Sequence, residues 1–296
     1  MLKAFSVAVV FAGQLRHTGW AGWPNATALE FQRAVVAPLV SVGWEVHVYV
    51  AGDPQEKLGW LSWLRNASIT SLTWGPMTSD PEAGLPGLPT SRSRNQSHFH
   101  CEGCQKECIN LTPSIHEQYK HLAEAWALVT SNGRRHDRVI KARADLMYHP
   151  KQALKPCWLR ELPKKVVLAN DVELHHSPHA SRWNERAARY PEYDPAKLPQ
   201  TFYPDYVSDQ FFIGHPDDIA VVMTLDSAPP DDRNNWNNEH TVRCPSDTQQ
   251  GPPHDIEDVV ARRLWSSGVA VYTVSWQLHK IGMMARFSGL SVESLH

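Results

Sequence analysis

Short apolar runs rich in β-branched residues alternate along the chain with longer stretches of helical periodicity. That alternation limits the fold more than any other feature. Phe5-Ser6-Val7-Ala8-Val9-Val10-Phe11 is apolar almost throughout and closes at Gly13, as a buried strand does. Ala28 to Val42 follows at helical spacing, interrupted by Pro38, and Trp44 to Val50 is a second β-prone run. Asp53-Pro54 then supplies an N-cap acceptor with Pro at the first helical position, and Ile69 to Trp74 is a third strand. Strands alternating with helices predict an α/β fold, a Rossmann-like and mostly parallel sheet flanked by helices on both faces.

The rhythm breaks between Pro76 and Pro113, a Pro-, Gly-, Ser- and Arg-rich stretch that reads as a long loop insertion. Ser114 and Glu117 then form a capping box. The helix they open carries Ile115, Tyr119, Leu122, Trp126 and Val129 on one face and stops at Asn132-Gly133. Arg138 to Asp145 reads as a strand and its exit, Val166 to Leu168 as a strand, and Val207 to Gly214 as an apolar run interrupted by Ser208-Asp209-Gln210. Asp255 caps a helix from Ile256 to Ser267, stopped by Gly268, and Val269 to Val274 is the last strand. No repeat is present. The 296 residues read as a single domain, 1–296, with two excursions: a Cys-containing loop at 76–113 and a second loop at 228–254.

Composition removes some functions. The formal net charge of -2 gives no basic field, so nucleic acid is not an expected partner. No run approaches the roughly 20 apolar residues of a transmembrane helix. The N-terminal apolar run lacks a cleavage pattern, so a soluble cytoplasmic chain is expected. Four glycosylation sequons at Asn25, Asn66, Asn95 and Asn110 favour the alternative, a Golgi-lumen setting in which an anchor or signal lies outside this chain. Five cysteines leave at least one unpaired within the chain. Cys101, Cys104 and Cys108 share one short segment, and their spacing suits a zinc site with a histidine as fourth ligand, a local disulfide plus a spare thiol, or inert thiols.

Ligands of open α/β sheets bind beyond the carboxyl ends of the strands, and three candidate ends carry suitable chemistry. Gly13-Gln14-Leu15-Arg16 joins a glycine that allows close backbone approach to an arginine able to clamp phosphate, or else is an ordinary turn. Lys141-Ala142-Arg143-Ala144-Asp145 places two cations and a carboxylate at a strand exit. It suits a divalent ion with a diphosphate, or a plain edge ion pair. Asp209, inside an apolar strand, is costly unless paired or functional; it reads as a general base or as a carboxylate bonded to backbone amides.

These segments resemble GT-A-fold, nucleotide-sugar-dependent glycosyltransferases, and among them the WavE-like bacterial, viral and algal group. The resemblance rests on Val9 to Arg16, the helix Gln118 to Thr130 leading into Asp137 to Ile140, Lys141 to Leu146, and Ser208 to Gly214 with the Glu257 helix behind it. It implies transfer of a sugar from a nucleoside-diphosphate donor, UDP-linked in the first instance, to a hydroxyl of a glycan or glycoconjugate. Gly13, Gln14, Arg16, Asp53, Gln118, Lys141, Arg143 and Asp145 would bind the donor. Asp145 and His279 would hold Mn²⁺ or Mg²⁺. Arg143 stands where a D-x-D motif would carry its first carboxylate. Asp209 would be the base of an inverting displacement, with Gln210, Trp183, Trp236 and Glu257 on the acceptor side. Trp183 and Trp236 serve as stacking platforms or as packing residues. Two other readings are a carbohydrate- or protein-binding module on a degenerate glycosyltransferase scaffold, and a zinc-dependent interaction protein built on Cys101 to Cys108.

Overall fold

The first apolar run forms β1 (Ser6–Ala12), buried through Phe11. In this computed structural model the described residues are 4–12, 29–52, 67–77, 98–100, 107–110, 112–143, 146–148, 153–170, 193, 207, 210–224, 242–243, 256–274 and 278–280. The stretch after β1 contains a π-helical turn, Gln32–Val36, running into α1 (Ala37–Ser41). Pro38 sits in the first turn of α1. Residues 29–41 are helical without a break, so the interruption expected at Pro38 takes the form of the π-turn just before it, which absorbs the proline inside a continuous helix. Next come β2 (Glu45–Gly52), β3 (Ser71–Pro76), β4 (His98–His100), β5 (Glu107–Asn110), α2 (Thr112–Ser131) and β6 (Arg138–Ala142). The remaining elements are β7 (Leu146–Tyr148), α3 (Pro156–Glu161), β8 (Val166–Asn170), β9 (Phe212–Gly214), α4 (Pro216–Met223), β10 (Val242–Arg243), α5 (Ile256–Ser266), β11 (Ala270–Val274) and β12 (Leu278–Lys280).

Seven strands make one sheet in the order β11-β8-β9-β6-β1-β2-β3. Every neighbouring pair is parallel except those involving β9, which runs antiparallel to both β6 and β8. The expected α/β architecture, a mostly parallel Rossmann-like sheet flanked by helices, is the one observed. Alternate residues feed two cores. Val7, Val9, Phe11, Val48 and Ile140 face the layer containing Phe31, Val35, Leu39 and Leu159, from the π-turn, α1 and α3. Ala8, Val10, Tyr49, Val139 and Val167 face Leu122, Ala125 and Val129 of α2, with Ile219 of α4 and Leu264 of α5. Burial on both faces explains why these strands read as unbroken apolar runs rather than as alternating ones.

The amino edge of the sheet is pinned by a buried polar chain. His136 hydrogen-bonds Ser6 Oγ through Nδ1 (2.9 Å) and Tyr49 Oη through Nε2 (2.8 Å), and Asn132 Nδ2 donates to Tyr49 Oη (2.6 Å). The Ser6 amide donates to Asp137 Oδ2 at 2.8 Å. Beside it Arg138 forks into the carbonyls that end α3, with Nε to Leu159 O at 2.6 Å and Nη2 to Leu162 O at 2.6 Å.

Several element boundaries differ from the sequence reading. Helix α2 starts at Thr112, two residues before the capping box, because Pro113 is tolerated in a first turn. Its stop is as expected: Gly133 has φ +70°, and Gly268 after α5 has φ +66°, the left-handed conformation that glycine adopts without cost. The stretch 76–113 carries β4 and β5, and 228–254 carries β10. These three form a separate sheet in the order β10-β5-β4. The run ending at Val274 is not the last strand, since β12 follows and pairs antiparallel with β7. Strand β9 begins only at Phe212, with Gln210 and Phe211 preceding it outside the strand. Phe211 and Phe212 are both buried, one in each core. No helix among the described residues is long and apolar enough to cross a membrane.

Candidate functional site

From β1 the chain builds outward through β2 and β3, then returns to place β6 on the opposite side of β1. The reversal creates a topological switch point between β1 and β6, and the crevice at the carboxyl ends there is where such sheets hold ligands. Phe11 pairs with Ala142, so β1 leads into Gly13 beside the place where β6 leads into Arg143. Strand β2 ends on the same edge at Gly52, immediately before Asp53.

On the other flank of β6, Lys141 pairs with Phe212. Because β9 is antiparallel, its start rather than its finish lies on this edge. Gln210, two residues before Phe212 in the chain, therefore lies at this edge. Strand β8 contributes Asn170, its last residue. Asn170 Nδ2 donates to Gln210 Oε1 at 3.4 Å, and both side chains are buried. Asn170 is a residue that sequence reasoning missed. Its one available signal was an amide at the close of the apolar run Val166 to Ala169.

Lys141 is 2% exposed. A buried ammonium is costly unless compensated, and the face of the Phe212 ring, 5.7 Å from Nζ, supplies part of that compensation. Arg143, two residues on and on the same face of the strand, is half-buried at the sheet edge. The K-x-R spacing thus gives one cation set into the sheet and one at its rim.

Strand β7 starts directly after Asp145. Its antiparallel partner β12 sets Lys280 opposite Leu146 and His279 opposite Met147. Helix α2 runs from the carboxyl edge, where its first turns carry Gln118, to the amino edge, where Ser131 leads through His136 into β6.

Gly13, Gln14, Arg16, Asp53, Asp145, Trp183, Asp209 and Trp236 lie outside the described residues, as do Cys101 and Cys104. Gln118 lies in α2, Glu257 in α5, His279 in β12 and Cys108 in β5. Among the described residues no group of three or more His, Cys, Asp or Glu is arranged to hold a metal.

Away from this edge, Tyr193 is buried against Trp158 and Tyr272 in edge-on contacts (ring centroids 6.3 and 6.1 Å). Burial holds the phenols of Tyr193 and Tyr272 above their ordinary pKa, as it does that of Tyr49. Arg138 is lowered, chiefly by burial.

No protein-family model matches the chain, and no curated protein matches it in sequence. Among solved structures, the apo form of mouse xyloside xylosyltransferase 1 aligns over 92% of this chain and 84% of that one, with a TM-score of 0.41 and 9% identity. Likeness at that level is one of outline, and the functional reading rests on this chain's own residues.

Proposed function

We propose that the chain is a nucleotide-sugar-dependent glycosyltransferase whose donor site is the carboxyl edge at the β1–β6 switch point. One observation supports this above others. Three segments that carry the glycosyltransferase resemblance are far apart in sequence, yet the strands they belong to, β1, β6 and β9, stand side by side with the relevant ends on one edge. A shared edge is what a common substrate requires.

In this reading Gly13, Gln14, Arg16 and Asp53 receive the nucleoside. Lys141 and Arg143 offset diphosphate charge, which suits a near-neutral chain because a diphosphate needs a few placed cations and no basic surface. Asp145 and His279 form a carboxylate–imidazole donor set that fits Mn²⁺, and the β7–β12 register supports their pairing. When bound, the ion would neutralise charge on the departing diphosphate. Asp209 takes the proton of the acceptor hydroxyl, whose oxygen attacks the anomeric carbon while the nucleoside diphosphate leaves. Gln210, held by Asn170, positions the acceptor, with Trp183, Trp236 and Glu257 on that side. The WavE-like group is the nearest family reading.

The test is product analysis with a panel of nucleotide sugars and Mn²⁺. Asp209→Asn should cut kcat by about 100-fold or more, the lower range for a positioned general base, with little effect on donor KM. Asp145→Asn should weaken donor and metal binding together. Wild-type turnover in both variants would overturn the assignment. Glycan binding without any stabilisation by nucleotide would favour a non-catalytic binding module.

A further inference from the structure

Pro38 has no amide hydrogen, so in a regular α-helix the Ala34 carbonyl, four residues earlier, would lack its donor. The helix over 29–41 answers with the π-turn at Gln32–Val36, in which the Ala37 amide donates to Gln32 O. The Ala34 carbonyl is taken from outside the helix: the Leu154 amide donates to it at 2.7 Å. Ala34 and Leu154 are both buried, in the core that also holds Val35 and Leu39, so neither group of this bond has water to fall back on. The bond joins two return legs of the chain. Residues 29–41 lead back from the β1 exit, and Leu154 lies between β7 and α3, on the way back from the β6 exit. The π-turn also sets a frame. Each α-helical residue turns the chain by about 100°, so closing the turn's extra residue would rotate everything ahead of it by that much. With the turn in place, Phe31 is 3% exposed and its ring stands edge-on to Phe11, centroids 5.0 Å apart, whereas Leu29 faces solvent. Phe11 is the next-to-last residue of β1 and pairs with Val50 and Ala142 of the neighbouring strands.

We propose that Pro38 is a positioning residue for the donor site: by leaving the Ala34 carbonyl to Leu154 it holds the π-turn open and keeps Phe31 against the carboxyl end of β1. The inference rests on the donor site proposed at the β1–β6 edge, and it names what registers the β1 side of that edge. Pro38→Ala restores an amide donor at the position that the α-helix requires. The Ala34 carbonyl is then claimed from within the helix and the turn closes toward α geometry. Leu154 loses its acceptor, and Phe31 rotates away from Phe11.

The experiment uses the full chain, amide hydrogen exchange resolved by residue, and UDP as the probe. In Pro38→Ala the Leu154 amide should exchange at least about tenfold faster, while core amides such as Leu168 of β8 keep their wild-type rates. The Kd for UDP should rise about fivefold, the scale of one backbone hydrogen bond. Donor KM should rise with it while kcat at saturating donor stays within about twofold, a split that a general loss of stability would not produce. Phe31→Leu leaves Pro38 in place, so it should raise the Kd for UDP without faster exchange at Leu154. Wild-type exchange at Leu154 in Pro38→Ala would overturn the dependence of the bond on Pro38. Faster exchange at Leu154 with an unchanged Kd, or an unchanged Kd in Phe31→Leu, would overturn the positioning role. A wild-type chain that binds no nucleoside diphosphate overturns the donor reading and the positioning role with it, an outcome told apart by Leu154 exchange that still responds to Pro38→Ala.

Discussion

Removing a single hydroxyl from the amino edge tests whether scaffold and site are separate ends of the sheet. Tyr49 is fully buried, and its Oη serves two buried partners, His136 Nε2 at 2.8 Å and Asn132 Nδ2 at 2.6 Å. Every group is satisfied when His136 is neutral with its proton on Nδ1, donated to Ser6 Oγ. Tyr49→Phe keeps the ring in the α2-facing core and strands both partners. Each stranded buried group costs on the order of 1–3 kcal/mol. Partial rehydration through half-buried Asn132 trims the sum to about 2–3 kcal/mol. That is roughly a 30- to 150-fold loss in the folded-to-unfolded ratio at ~1.4 kcal/mol per decade. For a domain of this size it corresponds to a Tm lower by about 3–5 °C. Urea and thermal unfolding monitored by circular dichroism give the stability, and donor titration at 25 °C gives the affinity. The m-value should not change, and donor affinity should stay within about twofold, because the hydroxyl lies across the sheet from the β1–β6 crevice. A Tm within about 1 °C of wild type would show that the polar chain does not pin the edge. A tenfold loss of donor affinity at unchanged Tm would show that the site is not confined to the carboxyl edge.

Other substitutions probe the site and the packing beneath it. Arg143→Ala should raise the Kd for a nucleoside diphosphate by about 10- to 100-fold, the scale of hydrogen bonds to a charged group, as read by titration calorimetry. Arg143→Lys should recover only part of the loss. Gly214→Ala would set a Cβ 3.1 Å from Ile219 Cδ1 and 3.2 Å from Val167 Cγ2; overpacking between β8, β9 and α4 should cost about 1–3 kcal/mol in urea unfolding. Stability should fall as pH rises above 10. Below that value Tyr49, Tyr193 and Tyr272 are protonated in both states, whereas above it the unfolded chain ionises first while burial keeps the folded phenols protonated. A pH series of urea midpoints checks this, and Tyr49→Phe should flatten part of the slope.

The sheet was legible because its strands are long enough to carry a pattern and are buried on both faces. Val7 to Phe11 and Val46 to Val50 announce themselves by composition alone. The helix α2 face at Leu122, Trp126 and Val129 and its glycine stop did so by periodicity. Strands β4, β5, β7, β10 and β12 have two to four residues each, too few to establish any period. Their existence follows from partners distant in the chain, as Arg243 has in Ile109. Residues 76–113 therefore read as loop, although they hold two strands of a three-stranded sheet whose third comes from the other excursion. Helix α4 was missed for a different reason: Pro216-Asp217-Asp218 looks like a turn, and only the burial of Ile219, Val222 and Met223 between strands and α5 makes it a helix start.

The site was legible in its chemistry and not in its geometry. Lys141-Ala142-Arg143 announces cations at a strand exit, and β6 does exit there. Nothing local says that Gln210 stands beside them. That placement depends on β9 running against its neighbours. In a parallel strand the residues after the apolar run reach the ligand edge, and those before it reach the opposite edge. Reversing β9 inverts this, so the residues preceding Phe212 come to the crevice. The same reversal explains why a polar residue stands at 210, directly ahead of an apolar strand. Gln210 is not an expensive flaw inside a strand; it is the rim of the sheet where the strand has yet to begin, and there it meets Asn170 from β8. Side-chain period identifies a strand and its faces, but direction, which decides whether its start or its end faces a ligand, is a property of the assembled sheet.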